Sequence, residues 1–232
     1  MSPPMRYAVY LAPPADSALW RFGCAILGRD AQSGEVPAAP DLPGFDAERW
    51  GQITAEPRRY GFHGTLKAPF RLANDAAAAD LYDALAAVAG EHHPFELPPL
   101  EVTALGRFVA LTPPVPVPTL DDIAACTVKD LDPLRAPLTP EERARRRPQA
   151  LSQRQTDMLD TYGYPYVLDE FRFHMTLTGP LDAAEHGHAL NALADAFAAS
   201  GARLPVEIAD LALFIEDEKG GPFRLARRFP LG

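Results

Sequence analysis

The stretch Tyr60-Gly61-Phe62-His63-Gly64-Thr65-Leu66-Lys67-Ala68-Pro69-Phe70 returns 111 residues later as Phe171-Arg172-Phe173-His174-Met175-Thr176-Leu177-Thr178-Gly179-Pro180-Leu181. Carried forward without a gap, that offset sets Tyr82 on Leu193, Gly90 on Gly201, Leu97 on Ile208, Leu100 on Leu211 and Val102 on Leu213. The correspondence outlasts the motif by about thirty residues, so the repeated object is a supersecondary unit, not a short signature.

Each copy opens with an apolar-alternating run, residues 62–67 and 173–178, that predicts a strand closed by a proline unable to extend the ladder. An alanine-rich helix follows in both. Leu81, Leu85 and Val88 in one copy, and Leu190, Leu193 and Phe197 in the other, recur at helical spacing, with Gly90 and Gly201 where a C-terminal cap is expected. Strands return at 95–97, 100–104 and 108–111, answered by 206–208, 211–215 and 223–226, the last two joined by a turn through Lys219-Gly220-Gly221-Pro222.

Ahead of the first copy, residues 7–11 read as a strand and 17–27 as a helix capped by Asp16 or Ser17, while 29–56 reads as a loop or irregular arm. Between the copies, 119–131 predicts a helix, and two capping boxes, Thr139 with Glu142 and Ser152 with Gln155, each open a short one. The expectation is an α+β chain with two β-sheet lobes backed by helices, related by an approximate two-fold around a central cleft. Its parts are a first lobe over 1–112, an ordered helical insertion over 113–170 and a second lobe core over 171–232.

Composition narrows the partners. With 232 residues and 47% apolar side chains the chain can bury a substantial core. A formal net charge of −9 argues against a nucleic-acid polymer, whose phosphates need a basic surface, so any phosphate site must be local. No run approaches the roughly 18 apolar residues of a membrane span and the first residues lack a signal-peptide apolar region, which predicts a cytoplasmic protein without a membrane partner. Cys24 and Cys126 have no C-x-x-C spacing and read as two buried thiols. His92, His93, His186 and His188 lack carboxylate or thiolate companions at ligand spacing and read as surface residues, so neither metal nor cofactor is expected. Oligomeric state is not written in these residues.

Along a strand, residues two apart share a face, which groups His63, Thr65 and Lys67 in the first copy and Arg172, His174, Thr176 and Thr178 in the second. If the strands meet across a pseudo-two-fold, two imidazoles and two hydroxyls line one cleft. Displacement at phosphorus needs a base on the attacking oxygen and an acid on the leaving oxygen, on opposite sides, and a histidine pair can supply both. The hydroxyls can donate to non-bridging oxygens. A single His-x-Thr on a half-buried strand is more often a hydrogen-bonded structural histidine; two at matching places in a duplicated unit weigh towards catalysis.

His63-Gly64-Thr65-Leu66 and His174-Met175-Thr176-Leu177 resemble the paired H-x-T-L signature of the 2H phosphoesterase superfamily. The flanks, 60–70 and 163–179, resemble its branch named for phosphonate metabolism, over nearly the whole chain. The resemblance implies a bilobed fold and roles for His63, Thr65, His174 and Thr176 in hydrolysis of a small, cyclic or linear phosphodiester without a metal. Lys67 and Arg172 are candidate phosphate contacts, and Tyr164 and Tyr166 candidate stacking partners for a base or sugar. The run 143–147, rich in arginine, reads as a solvated helix face. Other branches suggest processing of RNA 2′,3′-cyclic or 2′-5′ ends, and a non-catalytic phosphate-ligand sensor would use the same cleft.

Overall fold

A computed structural model describes residues 6–232. The chain begins with strand β1 (Arg6–Leu11) and helix α1 (Ala18–Leu27), whose cap is Ser17: its hydroxyl accepts the Trp20 N–H at 3.1 Å. Two short helices, α2 (Ala47–Ile53) and α3 (Ala55–Tyr60), occupy the end of the segment expected to be irregular. Asp46 caps α2 by accepting the Arg49 N–H at 2.7 Å, and Trp50 and Ile53 are buried. Two turns of helix carry too little periodicity to stand out in sequence.

Strand β2 (Gly64–Phe70) carries the first motif, followed by α4 (Ala78–Gly90), β3 (Phe95–Leu97), β4 (Glu101–Leu105) and β5 (Phe108–Thr112). The middle segment is helical: α5 (Pro118–Asp130), α6 (Pro140–Arg145) and α7 (Gln153–Tyr162), the last two opened by the expected capping boxes at Thr139 and Ser152. The second motif supplies β6 (Met175–Thr176), then come α8 (Ala183–Ala199), β7 (Val206–Ile208), β8 (Asp210–Glu216) and β9 (Phe223–Pro230).

The fold is α+β. Seven antiparallel strands form one sheet in the order β4-β5-β6-β2-β1-β8-β9, and β3 pairs with β7 in a second, small one. Leaving out the edge strand β9, the order is a palindrome about the β6–β2 seam. Each motif strand has one outer neighbour, β1 or β5, and beyond it the strand that follows the other copy's helix, β8 or β4. The two motif strands themselves pair through one residue pair, Gly64 with Met175. Gly64 is obligatory there, because a Cβ would sit 2.3 Å from the Phe173 ring.

Three local expectations are corrected. The second motif strand spans two residues instead of 173–178, because Leu177 and Thr178 both direct their N–H groups to the one carbonyl of Val109, at 2.9 and 3.2 Å, and leave the ladder. Pro69 lies within β2 rather than closing it, at a register shift against β1. Gly90 is the last residue of α4, with Glu91 as an ordinary right-handed cap, whereas Gly201 takes the left-handed conformation (φ 72°) just past α8.

Helices α1 and α8 meet through Phe22 and Phe197, whose ring centroids are 5.0 Å apart. Gly23 of α1 makes room for Phe62: a Cβ there would lie 2.1 Å from the Phe62 ring, so the residue ahead of His63 is seated directly on helix backbone. Full burial of a ring this size is worth roughly 1.5–3 kcal/mol. Cys24 is buried, but Cys126 is only half-buried, correcting the reading of two interior thiols. Among the described residues, no helix is long and apolar enough to cross a membrane.

Candidate active site

Each motif histidine is oriented by the carbonyl two residues before it. His63 Nδ1–H donates to Gly61 O and His174 Nδ1–H to Arg172 O, both at 2.8 Å. A carbonyl only accepts, so each Nδ1 carries the proton of the neutral ring, and each Nε2 is left for other chemistry. On the first side that nitrogen accepts from the Thr65 hydroxyl at 3.1 Å. The carbonyl is aimed by an unusual backbone: Gly61 ends α3 at φ 78°, ψ 174°, a region open essentially to glycine, and a Cβ would stand 2.5 Å from that of Ala31.

The two histidines differ in their surroundings. The Tyr10 ring stacks on His63 at 3.6 Å between centroids and 18° between planes, with Phe214 at 6.2 Å behind it. Burial pushes the His63 imidazole down to about 4, against the opposing bond to Gly61 and with a further push from nearby His174. Position is the reason: Tyr10 pairs with Thr65 across β1–β2, while the corresponding partner of Thr176 across β5–β6 is Ala110, which has no ring to offer. The nearest aromatic to His174 is Phe108, tilted at 5.8 Å, and the His174 ring stays partly open.

His63, Thr65, His174 and Thr176 line one cleft of about 340 Å³. Its walls add Tyr10, Tyr60, Phe108 and Tyr164, and its charged members are Arg6, Glu56 and Arg146. Arg6 is committed to Glu216, which is buried and also holds Arg59 and the Gly220 N–H at 3.0 Å. Burial works against ionisation of Glu216, but the two guanidinium groups outweigh it and hold the carboxyl below its ordinary range. Thr178 faces the cleft with a hydroxyl already accepting the Val109 N–H at 3.0 Å.

Four expected contacts fare differently. Lys67 is turned away. Between Tyr10↔Thr65 and Val9↔Lys67 the ladder advances one residue in β1 and two in β2, and this bulge puts Lys67 on the face of Val9, opposite the cleft. There it is buried and donates to Val128 O at 3.0 Å beside Asp132 at 3.4 Å, fastening α5 to the sheet. Burial lowers its ammonium to about 8, with Asp132 opposing. Arg172 is exposed and curls back onto the carbonyls of Asp169 and Phe171, outside the cleft lining. Tyr164 does line the cleft; Tyr166 packs edge-on against it at 5.7 Å, 47% exposed and off the lining.

The arginine run divides. Arg143 forms a two-pronged pair with Asp160 at 2.7 and 2.9 Å, as a solvated face would, but Arg146 reaches the cleft with its guanidinium 4.9 Å from the Tyr164 ring centroid. Sequence reasoning also missed Tyr10, Tyr60 and Arg6. Tyr10 carried a usable signal, since alternation along residues 7–11 puts it on the face opposite Val9. Nothing in the string links Arg6 to Glu216, 210 positions away.

One histidine is corrected outright. His92 is buried, donates from Nδ1 to Val88 O at 2.8 Å, and meets Asp122 and Cys126 of α5 with all three ligand atoms within 4.8 Å of one another. These residues could hold a metal ion; none of them lines the cleft.

A family model described as "Protein of unknown function (DUF1045)" matches residues 65–224. Two curated proteins named ribose 1,5-bisphosphate phosphokinase PhnN are similar. That of Janthinobacterium sp. (strain Marseille) is 37% identical over 97% of this chain and 50% of its own length; that of Laribacter hongkongensis (strain HLHK9) is 38% identical over 96% and 51%. The chain thus spans about half the length of these relatives. Among solved structures, E. coli LigT complexed with NADP+ (16% identical, TM-score 0.45) and with 3′-AMP (14%, 0.42) align over 99% of both chains.

Proposed function

We propose from the chemistry of the cleft that the chain, a member of the DUF1045 family whose model matches it from Thr65 through the whole second motif, is a phosphoesterase hydrolysing a small, cyclic phosphodiester. The observation that carries this reading is the mirrored pair of Nδ1–H to carbonyl bonds, which fixes one tautomer on both histidines and reserves both Nε2 atoms for the cleft. The paired H-x-T-L resemblance supports it independently.

His63 is the base. Its depressed basicity keeps it neutral at pH 7, with a lone pair on Nε2 to take the proton of the attacking water. The water oxygen bonds to phosphorus as the P–O bond to the leaving oxygen breaks. His174, in its protonated form, delivers the Nε2 proton to that oxygen. Thr65 and Thr176 donate to the non-bridging oxygens as charge gathers there. The turnover leaves His63 protonated and His174 neutral, and exchange with solvent resets them.

Sugar phosphates are the favoured substrate class. The relatives' name concerns a ribose bisphosphate, and a cleft of about 340 Å³ suits a ligand of sugar or mononucleotide size. The kinase part of that name does not carry over: the chain spans half of those proteins and contains no G-x-x-x-x-G-K-[ST] loop to cradle a nucleoside triphosphate. The resemblance to the phosphonate-metabolism branch supports that setting for the reaction.

The test is a panel of sugar and nucleoside cyclic phosphates assayed with and without EDTA. Turnover that survives exhaustive chelation is expected, since imidazoles supply both acid and base. Loss of activity with EDTA, restored by a divalent ion, would refute the mechanism. Preference for oligonucleotide ends, with affinity climbing steeply with length at physiological salt, would move the assignment to RNA processing despite the net charge of −9.

A further inference from the structure

We propose that Arg146, braced on Tyr164, is an anion-binding subsite that recognises a second phosphate on the substrate, remote from the ester being cleaved. This rests on the phosphodiesterase reading of the cleft and adds to it a specificity element.

Four arginines around the segment are engaged with carboxylates, Arg71 with Glu142, Arg135 with Asp132, Arg143 with Asp160 and Arg154 with Asp169, while the exposed neighbours Arg145 and Arg147 have no ion pair among the described residues and lie off the cleft lining. Arg6, the other cleft-lining cation, is held by Glu216. Of the two arginines that line the cleft, Arg146 is the one without an ion pair among the described residues, and Glu56, the cleft's carboxylate, makes none with it. A half-buried guanidinium spared from neutralisation within a chain of net charge −9 is a site that attracts an anion.

Its placement is constrained. The guanidinium lies 4.9 Å from the Tyr164 ring centroid, a cation–π contact that leaves its N–H groups free to donate. The next residue, Arg147, takes the left-handed conformation at φ 49° ahead of Pro148, a costly geometry for a non-glycine residue. The chain thus turns sharply just past Arg146, which caps α6. An arginine merely solvating a helix face would need neither the ring nor the turn.

The ligand class follows. The histidines and threonines already account for one phosphodiester, so an anion at Arg146 belongs to a second group on the same molecule. A phosphate monoester matches the fork of the guanidinium in two parallel bonds, where a neutral sugar hydroxyl would leave the charge unanswered. The substrate is then a phosphorylated cyclic phosphodiester. The reaction that supplies it must act on a sugar or nucleoside that already carries a phosphate monoester.

The test compares equilibrium binding of adenosine 3′-monophosphate and adenosine 3′,5′-bisphosphate by calorimetry, and turnover of 2′,3′-cyclic AMP with and without an added 5′-phosphate. Wild type is expected to favour the doubly phosphorylated member of each pair by on the order of 10–100-fold, the worth of a charge-assisted bond. Arg146→Ala should erase the preference through KM with kcat held, leave the singly phosphorylated ligands unaffected, and Arg146→Lys should restore part of it. Equal effects of Arg146→Ala on both members, or no wild-type preference, would overturn the proposal. Thermal melts of each variant exclude misfolding as the cause. If no cyclic phosphate is turned over yet the Arg146-dependent binding preference stands, the hydrolytic reading fails and the subsite survives.

Discussion

Tyr10 and Ala110 hold corresponding places on the two sides of the cleft, Tyr10 beside Thr65 and Ala110 beside Thr176. A phenol ring on one side and a methyl group on the other give unlike surroundings to two histidines that share the same Nδ1–H to carbonyl bond. On the proposed mechanism, a base and an acid arise from one repeated motif through a change of neighbour instead of motif.

Thinning the cover over His63 should therefore shift its titration. In Tyr10→Leu, water regains the imidazole face, and the acidic limb of kcat/KM should rise from near 4 towards the ordinary ~6.5. A limb unmoved by this substitution would show that stacking on Tyr10 is not what depresses it.

Replacing His63 or His174 by Ala should each lower kcat by ~10²–10⁴, with little change in stability. Losing either partner disables the concerted transfer, so the double variant should lose less than the product of the single losses. The acidic limb of the pH profile should vanish with His63. Should one of the two prove dispensable for turnover while its loss unfolds the chain, the pair has been misassigned.

Stability carries the same signature. His63 titrates lower in the folded chain than in the unfolded one, so its contribution is intact above about 6.5 and is lost as pH falls towards and through about 4, where the unfolded chain takes up a proton the fold resists. Chemical denaturation of His63→Ala over that window should show a shallower decline than wild type; parallel curves would contradict an enclosed, neutral imidazole.

Lys67 is a fastener and not a ligand. Lys67→Met should leave KM unchanged and loosen the attachment of α5, freeing Val128 O of its side-chain partner while Asp132 keeps Arg135. Its ammonium titrates at about 8 in the fold against ~10.5 in the open chain, so the unfolded state holds more protons between those values and this residue's contribution grows as pH rises through them. A raised KM without a change in stability would return Lys67 to the binding site.

What could be read from sequence was whatever depends on repetition and local chemistry. The offset joining His63 to His174 exposed the paired motifs, and the boxes at Thr139 and Ser152 marked where α6 and α7 begin. Strand parity misled at Lys67 because a bulge is a property of two strands, decided by β1 as much as by β2. Arg146 and His92 were hidden for a related reason. The partners that give them meaning, the cleft wall at Tyr164 and the α5 residues Asp122 and Cys126, are supplied by packing between segments with no shared pattern.

The seam at Gly64 sets a mechanical tolerance. The ring of Phe173 rests where the glycine side chain would be, and the residues next to these two are His63 and His174. The seam between the two motif strands is therefore filled by one edge of a phenyl ring set against bare backbone. A single added methyl at position 64 would act as a shim, pressing the Phe173 ring away from β2 right beside the two motif histidines.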